Sequence, residues 1–260
     1  MNKRFKHIIL TFCLFIFSVF NCFAQHFTVA YTYVAGKNEQ IFLSGLKSVS
    51  HDVIFKTFTS CKNPDIIIAF GETGYLSAEN SDKPIVVTFI PLKSKNITTK
   101  NVAGYFYTNF DIVKIADILK KKVPELNTIA LVLHDENYIK YVVQQKIYQP
   151  LVQIFDVRDT NKIFYKFREA MESSDMVLLM PDDFVLNYFS FRKVLKMLYE
   201  KEKPFVGFNK KLTNYGAKLV LIPDYYKEGV KAGKFLRNLF KNKMKFQREE
   251  FFITNFNVLK

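Results

Sequence analysis

The chain has 260 residues, 49% of them hydrophobic, and its 38 Lys and Arg outnumber its 24 Asp and Glu, for a formal net charge of +14. This length is enough for one large or two small domains with real cores, and the single cysteine beyond residue 24 makes no intramolecular disulfide, so stability must come from packing. The basic residues are spread as lysine pairs over many segments, so we interpret them as a solvated surface and expect no nucleic-acid partner. Attraction for an anionic ligand or a membrane surface is the open alternative.

The first residues have the pattern of a secretory signal peptide. Three basic residues precede an almost entirely apolar run at 8–20, and Cys22-Phe23-Ala24 offers a cleavage site. The apolar run is shorter than the roughly 20 residues that a membrane span needs. We therefore predict that residues 1–24 are a cleaved signal peptide and that the mature chain is periplasmic. A lipoprotein anchored at Cys22 is the weaker alternative, because Asn21 stands where a small residue is expected.

Short β-branched and apolar runs alternate with helical patterns along the rest of the chain. We predict strands at 27–33, 52–58, 65–70, 84–90, 102–107, 128–134, 151–156, 175–180, 204–208, 217–222 and 250–256. Several are continuous apolar runs, which is typical of strands that are covered on both faces of a parallel sheet. The alternation predicts an α/β protein with doubly wound, Rossmann-like layers.

The helical patterns have recognisable starts. We predict helices from Asp111 to Lys122, from Asp159-Thr160, from Asp182-Asp183, and after Pro223. In the last of these, Gly229 and Gly233 form a small-residue strip, which we expect to lie against a sheet. Acidic residues at the helix starts have an ordinary capping role.

Common catalytic and nucleotide-binding motifs are absent from the sequence. His134-Asp135-Glu136 and the pair Asp182-Asp183 have the side chains for a metal or acid–base site, but strand ends and helix starts often contain such residues. Cys61 is the cysteine left after signal-peptide removal, and we interpret it as a small packed residue. We expect no enzyme activity, no metal and no cofactor. An exported hydrolase that uses His134 or Asp183 is an open alternative.

An α/β chain of this kind offers a defined place for a ligand. In open parallel sheets, small molecules bind beyond the carboxyl ends of the strands, and two lobes turn that edge into a cleft. The turn at 71–74 is the best candidate, because its glycines allow close approach and a helix start presents free N–H groups. The predicted ligand-binding residues are Tyr31, Tyr33, Gly71, Thr73, Phe89, Asp182, Asn209, Asp224 and Tyr225.

Six segments follow one another in a familiar order and spacing. They are NPDIIIAFG (63–71), KPIVVTFIP (83–91), the stretch 101–137, SSDMVLLMPDD (173–183), KPFVGFNKKL (203–212) and YYKEGV (225–230). Together they resemble the substrate-binding proteins of ABC transporters, in the tryptophan/tyrosine-type family, over about 26–256. By this resemblance, the family's turn after the third strand falls on Gly71, Glu72 and Thr73. Its acidic position before the lobe-two helix falls on Asp182 or Asp183, and its position after the next strand falls on Asn209.

The resemblance implies a type I periplasmic-binding fold, with two lobes joined by three crossovers. Lobe one would hold 26–105 and 223–241, and lobe two 106–222 and 248–260. The first crossover would fall at 105–109. The implied function is that of a monomeric exported binding protein, which delivers a small molecule such as an amino acid to an ABC permease in the inner membrane.

The sequence departs from the family pattern in lobe one. Between Val29 and Asp65 it is shorter than usual, by a helix or much of one, and Ile90 to Lys93 replace a Thr-Asp-Pro type turn. Glu72 stands where a small residue is usual, and its carboxylate would compete with a carboxylate ligand. A second hypothesis is therefore a shortened binding-protein derivative that acts as a partner-binding or sensor module. An open cleft favours transport, and a cleft filled by aromatic side chains favours the second hypothesis.

Overall fold

The computed structural model describes residues 27–92, 97, 101–147, 150–182, 185–242 and 248–259. The predicted signal peptide at 1–24 lies outside these residues, and so does Asp183. Within the described ranges, no helix has the length and apolar character needed to cross a membrane.

The described residues form twelve strands and seven α-helices. The strands are β1 (Phe27–Tyr31), β2 (Val53–Thr57), β3 (Ile66–Phe70), β4 (Ile85–Ile90), β5 (Val102–Phe110), β6 (Thr128–Leu133), β7 (Leu151–Asp156), β8 (Met176–Leu178), β9 (Phe205–Gly207), β10 (Leu219–Pro223), β11 (Glu249–Ile253) and β12 (Phe256–Leu259). The helices are α1 (Lys37–Ser48), α2 (Gly71–Ala78), α3 (Ile112–Lys122), α4 (Glu136–Gln144), α5 (Ile163–Ser173), α6 (Tyr188–Glu200) and α7 (Tyr225–Lys241). Each predicted strand is present, and the last one is divided into β11 and β12.

Sheet one has the strand order β11-β5-β4-β3-β1-β2, and all its pairs are parallel. Helices α1 and α7 cover one face, and α2 packs on the other. We call this unit lobe one. Between β2 and β3 the chain makes only a 3-10 turn, Phe58–Ser60, in place of a helix, and Ile54 on the edge strand is 43% exposed. The shortened lobe one expected from the sequence is confirmed.

Sheet two has the order β12-β10-β9-β8-β6-β7, with β12 antiparallel and the other pairs parallel. Helices α3 and α4 cover one face, and α5 and α6 cover the other. This unit is lobe two. The predicted fold class, two doubly wound α/β lobes, is therefore confirmed.

The chain crosses between the two sheets at Phe110-Asp111, Pro223-Asp224 and Thr254-Asn255. Two expected boundaries are corrected here. The first crossover was expected at 105–109, but it lies after these residues, because β5 continues to Phe110. All of 248–260 was expected in lobe two, but β11 belongs to sheet one. Apolar packing explains the second correction: the Phe251 ring stacks on the Phe106 ring with centroids 4.4 Å apart.

Of two predicted helix starts, one is confirmed and the other is wrong. Asp111 caps α3 as predicted, and its Oδ1 accepts a hydrogen bond of 3.1 Å from the backbone N–H of Lys114. The predicted start at Asp182-Asp183 is wrong, because α6 begins at Tyr188 and Asn187 caps it. Asp182 instead closes a turn, with Oδ1 accepting from the N–H of Val185 at 3.2 Å. The strip of Gly229 and Gly233 does permit close approach, but its neighbour is α1 and not a sheet.

Gly104 lies in β5 beneath α7. A Cβ atom built at Gly104 would lie 2.9 Å from the ring of Phe235, which is 6% exposed. Replacing Gly104 with valine is expected to lower the free energy of unfolding by about 1–3 kcal/mol, because that packed ring must move. Urea unfolding measures the loss. Lys56→Val, at an exposed strand position, is the control, and equal midpoints for the two variants would refute the packing argument.

Candidate functional site

A cavity of about 370 Å³ lies between the lobes, at the carboxyl ends of β4 and β5 from sheet one and of β6 and β8 from sheet two. We call it the cleft. Its described lining is Phe89, Pro91, Thr108, Asn109, Phe110, Leu133, Asp135, Tyr138, Met180, Pro181 and Asp182. The volume falls at the lower end of the range for small-molecule sites, about 300–1,000 Å³. This is the edge at which an α/β chain was expected to hold a ligand.

Phe89 has an unusual backbone in this lining. Its φ is 58°, and the pairing of β4 with β5 shifts register between Thr88 and Ile90. A bulky residue at positive φ is strained, and such strain is concentrated at functional sites. The Phe89 ring stacks on Tyr225 with centroids 5.5 Å apart, so two of the predicted aromatic residues meet. Of these two, Phe89 borders the cleft.

Two carboxylates border the cleft. The Oδ1 atom of Asp135 accepts from the backbone N–H groups of Asn137 at 3.0 Å and Tyr138 at 3.3 Å, which caps α4. Oδ2 of Asp182 accepts from the N–H of His134 at 3.1 Å, and this bond joins the loops that follow β6 and β8. Asp182 was a predicted ligand residue, whereas Asp135 was considered as part of the group His134-Asp135-Glu136 and was not named as a ligand residue. Its position directly after the apolar β6 was the available signal.

Tyr31 and Tyr33 line a separate cavity of about 680 Å³ in lobe one, between α1, the end of β1 and the turn after β2. Tyr33 is 86% exposed. The ammonium of Lys47 lies 4.7 Å from the centroid of the Tyr31 ring, a cation–π contact. The structure therefore does not bring these tyrosines together with Phe89 at the cleft, and their ligand role stays a prediction.

The glycines of the turn at 71–74 have structural reasons of their own, a positive φ at Gly71 and close packing at Gly74. Gly71 has φ of +68°, and a Cβ atom at Gly74 would lie 2.5 Å from Oγ1 of Thr32. That same oxygen accepts a hydrogen bond of 2.9 Å from the N–H of Phe70. Thr73 is exposed on α2 and is not part of the cleft lining.

Asn209 and Asp224 act as caps. Oδ1 of Asn209 accepts from the N–H of Lys211 at 3.0 Å, and Oδ1 of Asp224 accepts from the N–H of Lys227 at 3.1 Å. Burial alone would raise the pKa of Asp224, but hydrogen bonds from the backbone and ammonium of Lys227 outweigh it and lower that pKa. Neither residue belongs to the cleft lining, so their contact with a ligand stays a prediction.

Glu228 on α7 holds the third crossover. It is 4% exposed, and its Oε1 accepts from the backbone N–H groups of Thr254 and Asn255, both at 2.8 Å. The crossovers also bond to one another: the N–H of Asp111 donates to Ile253 O, and that of Asp224 to Asn255 O, each at 2.9 Å. The three connections thus form one hydrogen-bonded hinge.

A row of stacked rings joins the lobes beside this hinge. Tyr141 on α4 stacks on Phe252 of β11, with centroids 3.9 Å apart, and Phe252 is 5.3 Å from Tyr107. The Tyr138 hydroxyl donates to Phe110 O at 2.7 Å, and burial raises the pKa of Tyr138 well above its usual value. The stack of Tyr141 on Phe252 is therefore a direct contact between lobe two and lobe one. Sequence reasoning did not identify this contact.

The other candidate side chains have structural partners. Nδ1 of His134 lies 2.8 Å from Val157 O, and Glu136 forms an ion pair with Lys140 at 2.8 Å. Cys61 is half-buried. No group of three or more His, Cys, Asp or Glu side chains in the described part of the chain is arranged to hold a metal ion.

Comparison with known proteins identifies the fold of this chain. No family model matches the sequence, and no curated protein does. Among solved structures, the ligand-free, open form of CD0873, a substrate binding protein with adhesive properties from Clostridium difficile, is 16% identical with a TM-score of 0.57, over 90% of this chain and 91% of that one. The chain has the type I periplasmic-binding-protein fold.

Two further structures share the type I periplasmic-binding-protein fold. The XylFII–LytSN complex is 12% identical, with a TM-score of 0.55 over 91% of this chain and 98% of that one. The xylose-binding transcription activator XylR is 15% identical, with a TM-score of 0.52 over 92% of this chain and 69% of that one. These identities show the fold alone. The same fold occurs in a substrate binding protein, CD0873, and in a transcription activator, XylR, so the function of this chain must be argued from its site.

Proposed function

We propose that this chain is a non-catalytic exported solute-binding protein, which binds a small molecule in the cleft and delivers it to an ABC-type permease of the inner membrane. The observation that carries the proposal is the cleft, where carboxyl strand ends from both lobes meet around a space of about 370 Å³. CD0873, which shares the fold, is described as a substrate binding protein. The signal-peptide pattern at 1–24 supports a periplasmic location.

Native purification followed by mass spectrometry tests the proposal. We expect a small molecule to co-purify with the mature chain and to be released on denaturation. Thr108→Tyr adds a ring to the cleft lining and should abolish retention, whereas Asn80→Tyr adds the same ring at an exposed position and should not. Retention of the same molecule by Thr108→Tyr would place binding elsewhere. Absence of any molecule, together with no thermal stabilisation by a solute library, would count against a binding protein.

A partner-binding or sensor module is the second candidate. Its supporting observation is that aromatic rings nearly fill the space beside the hinge and leave a void of about 20 Å³. These rings include Phe42, Phe89, Tyr225 and Phe252. The shortened connection between β2 and β3 supports it too. XylFII, which shares the fold, is in a complex with LytSN. Co-purification of a stoichiometric protein partner with the mature chain, unaffected by Thr108→Tyr, would favour this candidate over transport.

A further inference from the structure

The charge of the described cleft lining is opposite to that of the chain. Its described lining includes two carboxylates, Asp135 and Asp182, and no lysine or arginine. The whole chain, in contrast, has 38 basic and 24 acidic residues. A described lining that simply sampled this surface would be basic, so the described lining differs in sign from the rest of the surface.

A hydrogen bond joins the two loops that carry the carboxylates. Asp182 accepts the backbone N–H of His134, the residue next to Asp135, at 3.1 Å. Oδ1 of Asp135 takes both capping bonds, and Oδ2 makes no hydrogen bond to another described residue. Capping alone needs only one oxygen, which asparagine or serine also supplies. A second carboxylate oxygen at the cleft is therefore left to bind a donor or a cation.

Aromatic rings complete the same lining. Phe89, Phe110 and Tyr138 border the cleft together with Leu133 and Met180. The Phe89 ring stacks on Tyr225, and Phe110 and Tyr138 are 4% and 3% exposed, so these rings offer a ligand apolar contact area while the two carboxylates set the sign of its charge. Apolar side chains supply the remaining contact area for an uncharged part of a ligand.

We infer that the cleft binds a small organic ammonium ion with an aromatic or apolar body and no carboxylate. The inference rests on the proposed function, because it names the ligand class of the same cleft. The ammonium lies against Asp135 and Asp182, and the apolar body lies against Phe89. The family resemblance implies amino-acid ligands, each of which has a carboxylate. The described lining has no basic side chain to pair with that carboxylate, and both aspartates would repel it.

Three compounds with one ring and different charged groups test the inference: 2-phenylethylamine, L-phenylalanine and 3-phenylpropionate. Calorimetry with the mature chain is expected to give the tightest binding for 2-phenylethylamine and none for 3-phenylpropionate. Asp135→Asn should weaken the amine about tenfold to a hundredfold, because it removes a charge-assisted contact. Asp117→Asn, which makes the same charge change at an exposed position on α3, should leave binding unchanged.

The possible results separate the two proposals. Equal or tighter binding of L-phenylalanine or 3-phenylpropionate, lost in Thr108→Tyr, would overturn the ammonium inference and leave the solute-binding proposal in place. A co-purified ligand with a carboxylate and no cation would do the same. No binding of the three compounds and no co-purified molecule would overturn both. The order of affinities in the unmodified chain decides the question even where Asp135→Asn fails to fold.

Discussion

Replacing Glu228 with alanine is expected to lower the free energy of unfolding by about 3 kcal/mol. The Glu228 Oε1 atom accepts bonds from the N–H, at 2.8 Å, and the hydroxyl, at 3.2 Å, of Thr254, and from the N–H and side-chain amide of Asn255, both at 2.8 Å. Alanine leaves the two backbone N–H groups without this acceptor. It also removes the counter-charge of the Lys231 ammonium, 3.6 Å from Oε2.

Urea unfolding followed by circular dichroism measures this loss. Glu172→Ala removes the same atoms from an exposed position of α5 and should change the stability by less than about 0.5 kcal/mol. Glu228→Gln keeps one acceptor oxygen and should fall between the two. A similar midpoint for Glu228→Ala and Glu172→Ala would show that the third crossover does not depend on this carboxylate.

The hinge has a functional consequence beyond stability. Two features oppose rotation of the lobes. The three crossovers are hydrogen-bonded to one another, and the Tyr141 ring stacks on the Phe252 ring. The two rings lie on α4 of lobe two and β11 of lobe one, so a rotation of the lobes that moves α4 away from β11 breaks the stack. For such a rotation, the ring contact favours the form in which the rings are stacked.

The sequence predicted the α/β layers well, because they depend on local pattern. The apolar runs at 66–70 and 129–133 are buried strands, and Asp111 caps its helix. The position of β11 was not predictable in this way. It pairs with β5, far away along the chain, and a short run of apolar residues fits either sheet equally well.

The candidate site was harder to predict for a chemical reason. A polar residue after a strand can cap the next helix or contact a ligand, and the local sequence is the same in both cases. Asn209 and Asp224 proved to be caps, whereas Asp135 caps α4 and also borders the cleft. Only the three-dimensional arrangement of both lobes shows which loop reaches the cleft.

Replacing Gly229 with alanine is expected to lower the free energy of unfolding by about 2–3 kcal/mol, although alanine adds up to about 1 kcal/mol of helix propensity. A Cβ atom there would lie 1.9 Å from the backbone oxygen of Phe42, and one at Gly45 of α1 would lie 2.0 Å from that of Tyr226. Backbone atoms cannot rotate away, so α1 and α7 must separate and loosen the core around Leu46.

Thermal and urea unfolding of Gly229→Ala, with Lys234→Ala at an exposed position of α7 as the control, measure this effect. The control should be neutral or slightly stabilising, since alanine is the best helix former. Because Gly45 and Gly229 serve the same crossing, the double variant should lose less stability than the two single variants added together. Strict additivity would mean that the two glycines relieve independent contacts, and a stabilised Gly229→Ala would mean that the helices are not in close contact.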